Sequence, residues 1–365
     1  VVAGTHGKTT TAGILAWLLE GSGLDPGFLV GGVLTNFGRS YKLGRGRPFV
    51  IEGDEYETAF FDKGSKFLHY RPQIAILTSV EYDHAEMFPD LASLEEVFIR
   101  FVELIPERGL LCFCADDSRA GGVSRRARAR TLSYGIGKDA RWRGVVSETG
   151  PDRVAFEVRD GGALWGRFQS PLHGGHNLRN VLAALAAARE AGAEAGALER
   201  ALREFRGVRR RQEIRGTQDG VTVIDDFAHH PTAVRETLAA LRTKFPRACL
   251  WAVFEPRTNT TRRNVFQEDY ARAFDDADRV LIAPVHQPER IPQGRRFSPQ
   301  RLVQDLKQRG CKAFDLPGVE SIVDKVRAEA EPGSVIAVMS NGPFGDIHDR
   351  LLEALQRRAS QKPAP

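Results

Sequence analysis

The sequence predicts an α/β protein: a mostly parallel central sheet of the phosphate-loop type with a small antiparallel insertion, followed by a Rossmann-like α/β domain. Three observations predict it. The chain opens on an apolar strand end, Val1-Val2-Ala3, which turns through Gly4-Thr5-His6-Gly7 into Lys8-Thr9-Thr10-Thr11 and an apolar helical pattern (Ile14, Leu15, Trp17, Leu18, Leu19). Short apolar runs then alternate with helical periods, the pattern of parallel strands with helices laid between them. Gly207 interrupts the pattern, and the alternation restarts beyond it. The boundaries that follow are one domain over 1–206, a second over 207–358 and a disordered tail at 359–365.

The opening stretch reads as a phosphate-binding loop in a shortened form. The common spacing G-x-x-x-x-G-K-[ST] needs glycine at position 2, where Val2 stands. Backbone N–H groups of Gly4, Thr5, His6, Gly7 and the helix start, Thr10 included, face one concavity, and the helix dipole adds positive potential there. Lys8 reaches the terminal phosphates and the Thr9 hydroxyl ligates Mg²⁺. After the loop helix, Gly31-Gly32 and a polar, glycine-rich stretch to Arg47 read as a turn. Residues 48–55 form a short buried strand ending in carboxylates, and 73–79 a second apolar strand that runs into Val80-Glu81-Tyr82-Asp83-His84. Residues 91–105 are helical by period, and 109–115 form a third strand. Ligands of such sheets sit beyond the carboxyl ends of the strands, which is where Gly4 to Thr9, Glu52 and His84 fall. From 141 to 172 the pattern shortens and alternates, predicting the antiparallel insertion. His173-Gly174-Gly175-His176-Asn177-Leu178-Arg179-Asn180 then opens an alanine-rich helix over 181–191, with another near 198–205. Past Gly207, strands are expected at 221–225, 248–254, 279–283, 312–315 and 335–340. Helices are expected at 232–244, 267–274, 299–309, 319–330 and 347–357.

Composition narrows the class. At 365 residues, 42% hydrophobic and 27% charged, the chain has the make-up of a globular protein with a large core. The net charge of +5 is modest and its basic residues are dispersed, which suits a user of anionic nucleotides as well as a nucleic-acid protein. No run of about 18 apolar residues suggests a membrane span. Cys112, Cys114, Cys249 and Cys311 contain no C-x-x-C pair and lie mostly in apolar runs, so buried reduced thiols are expected rather than a disulfide or zinc framework.

Several clusters carry chemistry. Glu52 with Thr9 and phosphate oxygens suits one Mg²⁺, a cation that prefers oxygen ligands. His84 is a less usual ligand, and the competing reading of either residue is a satisfied polar group at a strand end. Asp54, Glu55, Glu81 and Asp83 add negative charge that calls for a cation. Asn177 and Asn180, three apart, face one side of a helix and can read a base edge, although Asn177 can instead cap that helix. Arg209-Arg210-Arg211 at the domain junction can clamp phosphate or form a solvated charge run. Three polar turns follow strands of the second domain: Asp225-Asp226-Phe227-Ala228-His229-His230-Pro231, Phe254-Glu255-Pro256-Arg257-Thr258-Asn259-Thr260 and Met339-Ser340-Asn341-Gly342-Pro343-Phe344-Gly345. Their placement predicts a second site lining a cleft.

Together these residues resemble the Mur ligase family over residues 4–355. Gly4 to Thr11 is similar to the family's ATP loop, Glu52 and His84 to its metal ligands and His176-Asn177-Leu178-Arg179-Asn180 to its adenine-side HNxxN motif. Arg210-Arg211 resembles its junction arginine pair, and Asp226 with His229-His230-Pro231 its C-terminal acidic and HHP elements. The resemblance implies ATP and Mg²⁺ as cofactors. It places ATP on Gly4, Thr5, His6, Gly7, Lys8, Thr9, Thr10, Asn177, Asn180, Arg211 and Asp226, and the metal on Thr9, Glu52 and His84. Lys8, His229, His230 and Arg257 become the candidate catalytic residues, and Arg257, Asn259 and Asn341 the substrate contacts. No lysine occurs between Lys66 and Lys138, so the carbamylated lysine of some members is absent. This is similar to the branch that ligates to UDP-N-acetylmuramate itself. Residues 52–63, 66–70, 254–260 and 340–345 resemble the member that adds L-alanyl-γ-D-glutamyl-meso-diaminopimelate. The partners implied are that sugar nucleotide and a muropeptide-derived tripeptide in the bacterial cytoplasm, with no nucleic acid and no membrane; the oligomeric state stays open. Competing readings are addition of free L-alanine, a non-catalytic nucleotide-binding module, and a generic P-loop ATPase or GTPase. Two departures stand out. Ser79 replaces an asparagine common ahead of the Asp-His pair, and the UDP-binding domain that precedes the loop in the family is missing from a chain that starts in mid-strand.

Overall fold

Apolar residues in short runs, each flanked by a polar turn, build the sheets of a computed structural model that describes residues 1–361. The chain divides into two compact units between Arg209 and Arg210, three residues beyond the boundary read from Gly207.

The first unit starts with β1 (Val2–Ala3) and α1 (Lys8–Gly21), then β2 (Gly27–Leu34), β3 (Arg39–Lys42), β4 (Phe49–Ile51), β5 (Glu57–Ala59), β6 (Asp62–Ser65) and β7 (Ile74–Leu77). It continues through α2 (Leu91–Glu103), β8 (Leu110–Cys114), α3 (Ser118–Ser124), β9 (Arg130–Gly135), β10 (Trp142–Thr149), β11 (Val154–Asp160) and β12 (Ala163–Ser170), and closes with α4 (Gly175–Glu190) and α5 (Ala195–Arg203). Seven strands make one sheet in the order β1-β7-β8-β9-β10-β11-β12. β1 through β10 pair parallel, and β10, β11 and β12 form an antiparallel meander. The expected antiparallel insertion is therefore the far edge of the central sheet: β10 joins β9 in parallel register and carries the sheet onward. Helices cover both faces. Leu18 of α1, Val181 and Leu185 of α4 and Leu202 of α5 pack in one core, while Leu94, Phe98 and Phe101 of α2 and Val123 of α3 pack in the other. α2 starts at a capping box between Asp90 and Ser93.

The stretch after α1 is not a turn. It forms a three-stranded sheet, β3-β2-β4, although Gly31-Gly32 breaks its apolar pattern. The glycines are there for close approach: a Cβ on Gly31 would lie 2.9 Å from Glu52 Oε2, and one on Gly32 2.8 Å from Val208. His84 lies seven residues past the end of β7 and so does not end that strand.

The second unit holds β13 (Glu213–Gln218), β14 (Val221–Asp226), α6 (Pro231–Lys244), β15 (Leu250–Phe254), α7 (Tyr270–Ala273), β16 (Arg279–Ile282), α8 (Pro299–Gln308), β17 (Lys312–Asp315), α9 (Val319–Glu329), β18 (Val335–Met339) and α10 (Ile347–Gln361). Its sheet runs β13-β14-β18-β15-β16-β17, all parallel except the edge strand β13. α6, α7 and α8 pack on one face, α9 and α10 on the other. This doubly wound sheet brings the carboxyl ends of β14, β18 and β15 side by side. Residues 359–361, expected in a disordered tail, are the last turn of α10, and 362–365 lie outside the described residues. Arg358 fixes that turn: its guanidinium bonds Asp219 Oδ2 and the carbonyls of Arg327 and Ala330, each at 2.6 Å. Among the described residues, no helix is long and apolar enough to cross a membrane.

Candidate active site

The phosphate loop is glycine-dependent by geometry. Gly4 (φ +127°) and Gly7 (φ +80°) take backbone angles that L side chains rarely adopt. A Cβ at Gly4 would lie 2.2 Å from Thr78 Oγ1, and one at Gly7 2.5 Å from Asn180 Oδ1. Gly7 caps α1 without a side-chain hydrogen bond, which leaves the first N–H groups of the helix, those of Lys8, Thr9 and Thr10 among them, without intrahelical acceptors. The rest of the loop is fastened to the segment after β7. Thr5 Oγ1 donates to Glu81 O (3.0 Å) and accepts from Glu81 N (2.9 Å). His6 N donates to Ser79 Oγ (3.0 Å), and Thr78 Oγ1 to His6 O (2.6 Å). Ser79 thus supplies an acceptor for the loop itself, and the His6 ring lies 2.8 Å from Glu81 Oε2.

Behind the loop lies a compact charge cluster. Lys8 Nζ donates to Gly4 O (2.7 Å), Thr5 O (3.2 Å) and the Glu55 carboxylate (2.8 and 3.1 Å). Glu55 Oε1 is also 3.1 Å from His84 Nε2. The Glu55 side chain is 1% exposed, and those of Lys8 and His84 are each 12% exposed. Burial raises the Glu55 carboxyl, but the Lys8 ammonium and the His84 hydrogen bond outweigh it and hold the group below its ordinary range. Burial likewise lowers Lys8, and Glu55 more than reverses this, leaving it raised. His84 is lowered by burial yet raised overall by Glu55 and Asp83. Its backbone is left-handed (φ +56°), held by the His84 N–H bond to Asp83 Oδ1 at 2.7 Å. Glu55 is the principal residue that sequence reasoning missed as a functional partner, treating it only as one of several nearby charges. The signal was an acidic run beside a buried lysine in need of a counter-ion.

Thr9 and Glu52 do meet. Thr9 Oγ1 donates to Glu52 Oε1 at 2.8 Å, and Glu52 Oε2 accepts from Gly31 N at 2.6 Å. A hydroxyl and a carboxylate side by side, next to loop amides, are hard oxygen donors that fit a magnesium ion carrying waters and phosphate oxygens. His84 faces Glu55.

Asn177 and Asn180 are both buried and use their amides within the unit. Asn177 Nδ2 donates to His173 O (2.9 Å) and Asn180 Nδ2 to Asn177 Oδ1 (3.4 Å), while Asn180 Oδ1 accepts from Thr11 Oγ1 (3.1 Å). The pair ties α4 to α1 directly behind Gly7. Gly174, not Asn177, caps α4.

In the second unit the three turns converge as expected. Ser340 Oγ donates to Glu255 Oε2 (2.5 Å), and Glu255 Oε1 accepts from Arg257 Nη1 (3.2 Å). A Cβ on Gly342 would lie 2.1 Å from Arg257 Nε, so only glycine lets that guanidinium lie across the last turn. Arg257 also stands 3.4 Å from His286 Nδ1. Asn341 Oδ1 is buried without a hydrogen-bond partner among the described residues, and the Asn259 side-chain Oδ1 accepts from the Arg262 guanidinium. Arg210 holds the turn from below, donating to Ser340 O (2.6 Å) and Gly342 O (2.8 Å). Arg211 lies over the Phe227 ring, 4.9 Å from its centroid. Asp226 accepts from Gln212 N (2.8 Å), Ala228 N (2.7 Å) and Thr237 Oγ1 (3.3 Å), which shapes the turn after β14.

The two histidines of that turn differ in tautomer. His229 Nδ1 faces the Phe227 carbonyl at 3.0 Å; a carbonyl only accepts, so Nδ1 carries the proton and Nε2 the basic lone pair. His230 Nδ1 accepts from Thr232 N at 3.2 Å and caps α6, so its neutral ring keeps the proton on Nε2.

Residues 2–188 match the model of the Mur ligase middle domain, and residues 210–342 that of the "Mur ligase, glutamate ligase domain". The chain belongs to the Mur ligase family. It is therefore an ATP-dependent amide ligase. Among its relatives, the UDP-N-acetylmuramate–L-alanyl-γ-D-glutamyl-meso-2,6-diaminoheptanedioate ligase of Escherichia coli (strain K12) is 41% identical over 98% of this chain and 76% of its own length. A UDP-N-acetylmuramate–L-alanine ligase of Symbiobacterium thermophilum is 34% identical over 100% of this chain and 77% of its own. The crystal structure of a murein peptide ligase from Psychrobacter arcticus superposes with a TM-score of 0.69 at 33% identity, covering 100% of this Mur ligase and 78% of that chain.

Proposed function

We propose that this Mur ligase joins L-alanyl-γ-D-glutamyl-meso-diaminopimelate to UDP-N-acetylmuramate in the bacterial cytoplasm, as a peptidoglycan-recycling step. The observation that carries this reading is the extent and identity of the match to the Escherichia coli ligase of that name.

The chemistry is two transfers. The lactyl carboxylate of the sugar nucleotide attacks the γ-phosphorus of ATP, releasing ADP and forming an acyl phosphate. The alanine amine of the tripeptide then adds to the acyl carbon, loses a proton, and expels inorganic phosphate as the amide forms. The loop amides and Lys8 hold the phosphate chain and offset charge as it spreads over the phosphoryl oxygens. Thr9 and Glu52 would supply the oxygen donors for Mg²⁺, while His84, the third ligand the family resemblance implies, faces Glu55; bound there, the ion would neutralise phosphate charge. Asn177 and Asn180 set the loop's position from behind, and Arg211 and Asp226 are the second unit's candidate ATP contacts. His229 Nε2 is the acceptor for the amine proton. Arg257 takes a substrate carboxylate as a charge-assisted pair, and Asn341, with its orphaned acceptor, and Asn259 are the further candidate substrate contacts.

Incubation with UDP-N-acetylmuramate, ATP, Mg²⁺ and either the tripeptide or free L-alanine, followed by product mass, tests the reading. The tripeptide adduct is expected. The alanine adduct alone identifies an alanine-adding enzyme, and ATP binding without substrate-dependent phosphate release identifies a nucleotide-binding module.

A further inference from the structure

We infer that Glu55 is the counter-ion from which Lys8 must be withdrawn when nucleotide binds: the ammonium exchanges this carboxylate for a phosphate oxygen, and Glu55 is left paired with His84. This rests on the ligase reading insofar as that reading puts phosphate on the loop.

An ammonium has three protons. In Lys8 they go to Gly4 O at 2.7 Å, Thr5 O at 3.2 Å and the Glu55 carboxylate at 2.8 and 3.1 Å. A phosphate needs one of the three. Gly4 and Thr5 belong to the loop and stay with the lysine as it wraps the ligand. Glu55 comes from a different element, four residues after β4, and carries the same sign of charge as the phosphate. Two anions on one ammonium repel strongly where little water screens them, and here Glu55 is 1% and Lys8 12% exposed. Glu55 is therefore the partner given up.

The carboxylate is not left without a partner. Its Oε1 is already 3.1 Å from His84 Nε2. The backbone at His84 is fixed by its own N–H on the Asp83 carboxylate (2.7 Å), and the imidazole packs against the Tyr56 ring, whose centroid lies 4.3 Å away. Glu55 thus keeps Lys8 aimed at the loop before nucleotide arrives and weakens nucleotide binding in return.

The test compares the wild-type protein with E55Q, which keeps the shape and removes the charge. A non-hydrolysable ATP analogue with Mg²⁺ is titrated by calorimetry, and Tm is read with and without it. E55Q is expected to bind the analogue about tenfold more tightly. Its ligand-free Tm falls and its ligand-induced rise in Tm grows. Glu55→Asp, which retains the charge, stays within about threefold of wild type. A merely structural role lowers Tm and leaves the Kd of E55Q unchanged or weaker; that result, or equal tightening in Glu55→Asp, overturns the inference. Should E55Q not fold, Glu55→Ser, which admits water at the ammonium, carries the same expectation. Wild-type protein that binds no analogue overturns the ligase reading and this inference together; wild-type binding with no gain in E55Q overturns this inference alone.

Discussion

Thr9 Oγ1 donates to Glu52 Oε1 across 2.8 Å, and the other oxygen of that carboxylate takes the Gly31 N–H at 2.6 Å. One side chain therefore joins the first turn of the phosphate-loop helix to the glycine gap in β2. In E52Q the amide oxygen can keep one of these bonds, but the negative charge is gone. If Thr9 and Glu52 are the magnesium donors, E52Q lowers ligation kcat/KM by about 100-fold or more, the scale of losing a charged group at developing phosphate charge. The Mg²⁺ concentration for half-maximal rate also rises. Rates measured across a magnesium titration check this, and an unchanged half-saturation removes Glu52 from the metal.

The tautomers of His229 and His230 separate two roles that the sequence leaves merged. His229 Nδ1 is committed to the Phe227 carbonyl and His230 Nδ1 to the amide of Thr232. His229→Ala is expected to cut kcat by about 100-fold, within the usual range for a general base, with little loss of stability. His230→Ala instead removes a helix cap, at about 1 kcal/mol, and Asn at position 230 restores it. Paired measurements of kcat and Tm on the three variants distinguish the roles. A kcat loss confined to the His230 variant would reverse the assignment.

Much of this architecture was legible because it depends on local periodicity. β17 was read to the residue, and β14, β15, β16 and β18 to within two, since each is a buried apolar run flanked by turn residues. β2 was not legible because glycines selected for approach to Glu52 and Val208 erase the alternation of a strand. The end of α10 was missed for a different reason: residues 359–361 carry no apolar period, and only the fold supplies the Asp219 carboxylate and two carbonyls that fix Arg358 just before them. In the site, Lys8, Thr9 and Glu52 were legible from their types and order. The pairing of Lys8 with Glu55 was not, because four acidic residues lie near the loop and sequence cannot say which one is buried against the ammonium.

His348 gives the second unit a pH dependence. It is buried on α10, its Nε2 3.4 Å from Asp225 Oδ1. Burial lowers its pKa, Asp225 and Asp349 oppose this, Arg215 and Arg210 assist, and the net direction is down from 6.5. The unfolded chain therefore binds the proton more readily than the folded unit. Stability is retained above the unfolded pKa and is lost as pH falls below it toward the depressed folded value, with a slope of at most about 1.4 kcal/mol per pH unit from this group. Denaturant midpoints between pH 7.5 and 5.5 should fall for wild type and fall less steeply for His348→Gln. Parallel slopes would mean that His348 is not the group responsible.

Gly342 and Arg257 offer the most direct test of the substrate site. The glycine's missing Cβ is the space the guanidinium occupies, 2.1 Å from Nε and 2.6 Å from Cζ, while Glu255 and His286 hold the far end of the same side chain. Alanine at 342 must push the guanidinium aside while leaving the Arg257 side chain itself intact. If Arg257 binds a tripeptide carboxylate, G342A raises the tripeptide KM about 10- to 100-fold, the value of one hydrogen bond to a charged group, and leaves the ATP KM near wild type. Arg257→Ala does the same, and Arg257→Lys recovers part of the loss through charge without the fork. The double variant G342A/R257A is no worse than R257A alone, because both remove one interaction. Steady-state kinetics with the tripeptide varied reads all four, and a tripeptide KM unmoved by G342A and R257A removes Arg257 from the substrate.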